Sequence, residues 1–207
     1  MLKRTKGRLL LTLLVITGLA GTLKDNSLSH KERKNAMSLM KETKTDAIKS
    51  IKGLSEKQLN FKAAPDRWSV KECMYHLAIT EKRSWDMLEA SLKEQADPDK
   101  RAEIKITDEQ LIKMMEDKDF KIKNASLLEP KNTTYKSLDE AINAFKSRRA
   151  AHIKYIKTTT EDLRNHVVQM PFGSLDCYQL CLMMASRSNW YTQQIEEIKA
   201  DPKFPKK

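Results

Sequence analysis

Four histidines and three cysteines hold the strongest metal-binding and nucleophilic potential in this chain, and they are thinly spread. General acid-base or nucleophilic catalysis needs a second group that activates or orients the first. No Ser-His arrangement and no paired carboxylate stands beside His76, so by itself it reads as a structural histidine rather than a general base. His30 falls at a helix start and His166 in a loop, where exposure is the ordinary expectation. His152 has Arg148, Arg149 and Lys154 as neighbours, which suits a solvent-facing helix edge. Cys73, Cys177 and Cys181 make an odd count that forms no disulfide framework. Cys177 and Cys181, one helical turn apart, read as two small buried apolar side chains.

The elements that must position these groups are helical. Aromatic residues make up 6% of the chain and there are only five glycines, too few for the turns of a sandwich or barrel. Met37, Met40, Lys44, Ala47, Ile51 and Leu54 recur at helical steps and predict a first helix over about 29–52, stopped by Gly53. Ser55-Glu56-Lys57-Gln58 carries a capping-box pattern and starts a short turn. Ser69, with Glu72 three residues on, caps a second helix whose inner face runs through Val70, Cys73, Leu77, Ser84, Leu88 and Ser91. A third opens at Ser137-Leu138-Asp139-Glu140 and turns Leu138, Ile142, Phe145, Ile153 and Ile156 inward. The fourth follows Met170-Pro171-Phe172-Gly173 and carries Leu180, Met184, Ser188, Tyr191, Ile195 and Ile198 on one face up to Asp201-Pro202. Between the second and third lies a forty-residue polar connection, 97–136, with a short helix starting at Thr107. That length lets the chain cross the bundle, so the second and third helices can run parallel. The expected architecture is all-α, a four-helix bundle with one long crossover.

The net charge of +11 does not by itself argue for nucleic acid. Lys3, Arg4, Lys6 and Arg8 belong to a basic N-terminus, and the remaining charges interleave, as in Lys31-Glu32-Arg33-Lys34, in the manner of solvated helix faces. No nucleic-acid partner is expected. The basic start, the apolar run from Leu9 to Leu23 and the small residues Gly18 and Ala20 read as a secretory signal over residues 1–25. The run is about fifteen residues against the roughly twenty needed to span hydrocarbon, so a retained anchor is the weaker alternative. The expectation is an exported protein, periplasmic or extracellular, that touches a membrane only through this segment if it is uncleaved. Its domain covers residues 26–207. Asn124-Ala125-Ser126 and Asn132-Thr133-Thr134 match the glycosylation triplet, which carries meaning only in a eukaryotic secretory cell.

Three segments occur in an order that resembles the DinB-like (YfiT-like) family of metal-dependent enzymes. They are Trp68-Ser69-Val70-Lys71-Glu72-Cys73-Met74-Tyr75-His76-Leu77, then Phe172-Gly173-Ser174-Leu175-Asp176, then Gln194-Ile195-Glu196-Glu197. The resemblance spans about residues 33–205 and implies a four-helix bundle with a cleft metal held by three histidines. One of these lies on the second helix, and the other two form an H-x-x-x-H pair on the fourth. His76 matches the first ligand, whereas Arg187 and Tyr191 stand where the pair would fall. Residues four apart on a helix lie about 6 Å apart along its axis and can close on one ion. Arginine stays protonated and offers only donors, and neutral tyrosine is a poor ligand at pH 7.

Two function classes follow from the resemblance. In the first, the chain is a binding module for a small molecule, an anion in particular, with His76, Arg187 and Tyr191 as its pocket and no cofactor. Arg187 would then supply the positive charge of the lost ion. In the second, it is a metal-dependent hydrolase or thiol transferase with a weak or rearranged nickel, zinc or iron site, and His76 is the remaining metal ligand. A purely structural protein of the cell envelope is a third class. There Arg187 faces solvent, Tyr191 fills the bundle, and Trp68 and Trp85 pack in the core. The resemblance also suggests homodimers.

Overall fold

The computed structural model describes residues 27–120 and 129–206. The leader read over 1–25 and the 124–126 triplet lie outside them. Six α-helices occur among the described residues: α1 (His30–Ile51), α2 (Glu56–Leu59), α3 (Val70–Leu92), α4 (Asp108–Glu116), α5 (Leu138–Thr158) and α6 (Cys177–Lys199). Four long ones form the bundle. No described helix is long and apolar enough to cross a membrane.

Local chemistry sets most of these boundaries. Ser29, Ser55, Ser69, Thr107 and Asp176 each close a capping box that satisfies backbone N–H groups at the start of α1, α2, α3, α4 and α6. At α5 the pattern closes halfway. Ser137 accepts from the Glu140 N–H, but the Glu140 carboxylate takes the N–H of Lys136 instead. Gly53, at φ 75°, supplies the left-handed residue that ends α1.

In the bundle α1 packs on α5 and α6, and α3 packs on the same two, so α1 and α3 stand diagonally opposite. Residue pairs across each seam give the directions. Along α3 and α5, Glu81 meets Arg149 and Trp85 meets Tyr155. Along α1 and α6, the Glu32 carbonyl accepts from Tyr178 and the Ser50 carbonyl from Lys199. Both pairs run parallel. The sequence expectation for the second and third long helices holds, and the connection between them is the crossover that makes it feasible. That connection contains α4, which packs on the outside of α6.

The segment before α6, read from sequence as a loop, is a short antiparallel hairpin. β1 (Val167–Met170) pairs with β2 (Gly173–Asp176), with Met170 opposite Gly173 across the Pro171-Phe172 turn. Gly173, at φ 131°, occupies a conformation that an L side chain rarely adopts. The hairpin delivers Asp176 to the start of α6, where Arg164 holds its carboxylate at 2.9 Å together with Asp108 of α4 and Glu32 of α1.

The core has two apolar clusters with a polar layer between them. One gathers Met40, Leu88, Ile156, Leu180 and their neighbours, and the other Ala47, Leu77, Phe145, Tyr191 and Ile195. At the intervening level each long helix contributes a polar residue: Thr43, Glu81, Arg149 with His152, and Ser188. Arg149 is fully buried and makes a two-pronged contact with Glu81, Nε to Oε1 at 2.8 Å and Nη2 to Oε2 at 2.5 Å. Its remaining donors reach the Thr43 and Ser188 hydroxyls. His152 Nδ1 lies 2.7 Å from Glu81 Oε1, and its ring stacks on Trp85 at 3.7 Å.

The solvent-facing edge expected for His152 and Arg149 is therefore corrected: both are interior, because Glu81 pairs with both. His166 is also buried rather than exposed, with Nδ1 2.8 Å from the Ser91 carbonyl oxygen. On α1 the buried stripe includes Thr43 in place of the expected Lys44, since Arg149 takes the threonine hydroxyl.

Candidate functional site

His76 sits in the second turn of α3, and the Ser69 capping box sets the start of that helix. The cap also fixes Trp68, the residue just before it. Tyr191 lies on the inner face of α6, four turns in from the Asp176 cap. The two helices bring these side chains together. The His76 and Tyr191 rings are 4.4 Å apart, Trp68 lies 4.9 Å from His76, and Trp68 stacks on Tyr191 at 5.8 Å with planes 14° apart. His76 and Tyr191 are both buried, and Trp68 is half-buried.

Arg187, one turn before Tyr191, reaches the same cluster from the side of α4. Its guanidinium lies 5.4 Å from the Tyr191 ring and 4.4 Å from the Trp190 ring, and Nη1 donates to the Met115 carbonyl at 3.2 Å. Trp190 Nε1 donates to the Asp117 carbonyl beside it. These two side chains thus satisfy carbonyls at the end of α4 that have no intrahelical partner. Tyr191 is the shared neighbour that links Arg187 to His76.

The electrostatics of this cluster are set by burial. Burial pulls the Arg187 guanidinium below its usual range, with the Tyr191 hydroxyl partly offsetting that. Burial also pushes the Tyr191 phenol up to about 12, against the opposing influence of Arg187. Cys73, on α3 beside the cluster, is likewise pushed up to about 12 by burial. Neither the phenol nor the thiol is therefore an anionic ligand or nucleophile at neutral pH. No described carboxylate pairs with Arg187, although Arg149 and Arg164 each have at least one. The segment 121–128 that follows α4 contains no Asp or Glu. The C-terminal dipole of α4 amounts to about half a charge and only partly balances a full one.

A cleft of about 490 Å³ opens against this cluster, walled by Trp68, Cys73, Trp190 and Tyr191, with Asp66 and Arg67 at its mouth. Glu197 also lines it and pairs with Lys118. Of the three residues singled out from sequence, only Tyr191 faces the cleft, while His76 and Arg187 stand behind it. Trp68 packs against the core as expected and is also a cleft wall.

The residues present do not fit a three-histidine metal centre. Among the described residues no group of three His, Cys, Asp or Glu side chains is placed to hold an ion. The neighbours of His76 in the cluster are a phenol held protonated and an indole, and Arg187, across the phenol, is a donor-only cation that repels a divalent ion.

Fold and site together define a mainly helical bundle protein whose aromatic-walled cleft lies between its second and fourth long helices. The family it belongs to is the DinB superfamily, whose DinB_2 model matches residues 39–186. The chain is 25% identical over 165 residues to the uncharacterized protein YuaE of Bacillus subtilis (strain 168), covering 79% of this chain and 96% of that one. Its fold is also that of YfiT from Bacillus subtilis, with a TM-score of 0.58 and 14% identity, over 84% of this chain and 89% of the other. YfiT is described as a probable metal-dependent hydrolase with an unusual four-helix bundle topology.

Proposed function

We propose that this DinB-superfamily protein is a small-anion binding module in which Arg187, with Tyr191 and His76, takes the place of a metal ion. One observation carries the reading: a half-buried guanidinium beside the cleft has no carboxylate partner among the described residues. Burying a charge without a counter-charge is costly, so the cluster favours an incoming anion, and a guanidinium suits a carboxylate. The basic and apolar segment over 1–25 supports export of the domain formed by 26–207, so the anion would be met outside the cytoplasm.

Isothermal titration with acetate tests this. The wild-type protein should release heat with a one-to-one end point, and Arg187→Ala should abolish it. Equal heats from the two proteins would end the proposal.

A second reading has the YfiT fold in its favour: a metal-dependent hydrolase with a rearranged site. It requires ligands other than Arg187 and Tyr191 to join His76. Metal analysis of protein purified without a His tag separates the two, since stoichiometric nickel, zinc or iron would favour the enzyme.

A further inference from the structure

The cleft wall itself narrows the class of ligand. Trp68 stacks on the buried Tyr191 and Trp190 meets it edge-on at 4.7 Å with planes 76° apart, so the half-buried Trp68 and Trp190 are the rings with area left for a ligand. Aromatic walls of this kind accept either a flat ring or a cation. The cation is disfavoured here. The Arg187 guanidinium already lies over both Trp190 and Tyr191, so a second positive charge against those rings would be repelled.

The charges around the cleft point the same way. Arg187 lies behind its wall, and at its mouth the Arg67 side chain has no hydrogen-bond or ion-pair partner among the described residues. Lys118 balances Glu197, and among the described residues Asp66 is the one acid at the mouth without an ion-pair partner. One guanidinium at the mouth, Arg67, thus stands against one carboxylate, and the Arg187 charge behind the wall tips the balance to positive. A volume of about 490 Å³ exceeds what acetate needs and is of the size that encloses a bicyclic ring.

We infer that the cleft between the 63–68 loop and α6 binds a planar aromatic carboxylate, with its ring against Trp68 and Trp190 and its carboxylate at Arg67, where the Arg187 charge behind the wall also favours an anion. This rests on the anion-binding reading and adds the aromatic body of the ligand.

Titrating 2-naphthoate, acetate and 2-naphthylmethylamine into the full chain tests it. Naphthoate should bind about tenfold or more tightly than acetate, the gain that ring contacts of this kind give. The amine should bind at least about tenfold more weakly than naphthoate. Trp68→Leu should remove the advantage of naphthoate over acetate. Arg67→Ala, at an exposed loop position, should weaken naphthoate. Naphthoate binding no tighter than acetate, or amine binding as tight as naphthoate, would overturn the inference. If acetate heats still depend on Arg187 in that case, the anion-binding reading stands alone. Heats from neither anion would remove both.

Discussion

Replacing Glu81 by Gln tests whether the polar layer holds the bundle together. Glu81 is almost fully buried and is the partner of both the Arg149 guanidinium and His152. Burial alone would raise its pKa. The Arg149 charge and the hydrogen bonds from Arg149 and His152 outweigh burial and hold the carboxyl down at about 2. The amide keeps the shape but leaves Arg149 charged, buried and facing only neutral groups, and it sets an NH2 against a donor. Breaking one side of such a pair costs about 3–5 kcal/mol. Against a typical total of about 5–15 kcal/mol the loss is large, and at about 2–4 °C per kcal/mol the melting temperature should fall by about 6–20 °C. Urea unfolding followed by circular dichroism at neutral pH measures it.

The same pair sets a pH dependence. The folded pKa of Glu81 lies below its ordinary value of 4.5, so its contribution is complete above that value and is lost as the pH falls through about 2. The gap between wild type and Glu81→Gln should therefore narrow over that window. A variant within about 1 kcal/mol of wild type at neutral pH would refute the reasoning, because a satisfied buried ion pair cannot lose its anion so cheaply.

Two further outcomes follow from the geometry. All three cysteines are buried, and burial raises each thiol, Cys73 to about 12 and Cys177 to about 11. Iodoacetamide at mildly alkaline pH should leave the native protein unlabelled and modify three sites in denaturant, and rapid labelling of the native state would contradict this burial. Gly53→Ala places a Cβ on a residue at φ 75° and should destabilise by about 1 kcal/mol in urea, whereas an unchanged midpoint would mean that the end of α1 does not need that conformation.

The long helices were legible from sequence because their start signals are local. Ser69 with Glu72 and Thr107 with Gln110 state a helix start within four residues, and Leu180, Met184, Ser188, Tyr191, Ile195 and Ile198 are buried as their spacing requires. The parallel pairing of α3 and α5 followed from the length of the crossover. The polar layer was not legible in the same way. Arg149 and His152 sit among basic neighbours that suit an exposed edge, and the acid that draws them inward lies 68 and 71 residues away on another helix. One sign was present: Glu81 falls one turn after Leu77 and two before Leu88, on the apolar stripe of α3, where a carboxylate needs a buried partner. The approach of Tyr191 to His76 could be anticipated only through the family resemblance, since no local pattern links positions 76 and 191. The cleft and its second tryptophan emerged only from the packing of the 63–68 loop on α6.

Placing histidines on α6 is the most direct test of whether Arg187 and Tyr191 stand where a metal would be held. The double substitution Arg187→His with Tyr191→His gives α6 an i, i+4 histidine pair facing His76, and cobalt(II) titration reads its coordination by visible absorption. The account predicts one equivalent of tightly bound cobalt in the variant, with a four-coordinate spectrum, and none in the wild type. Equally tight, stoichiometric binding by the wild-type protein would contradict it.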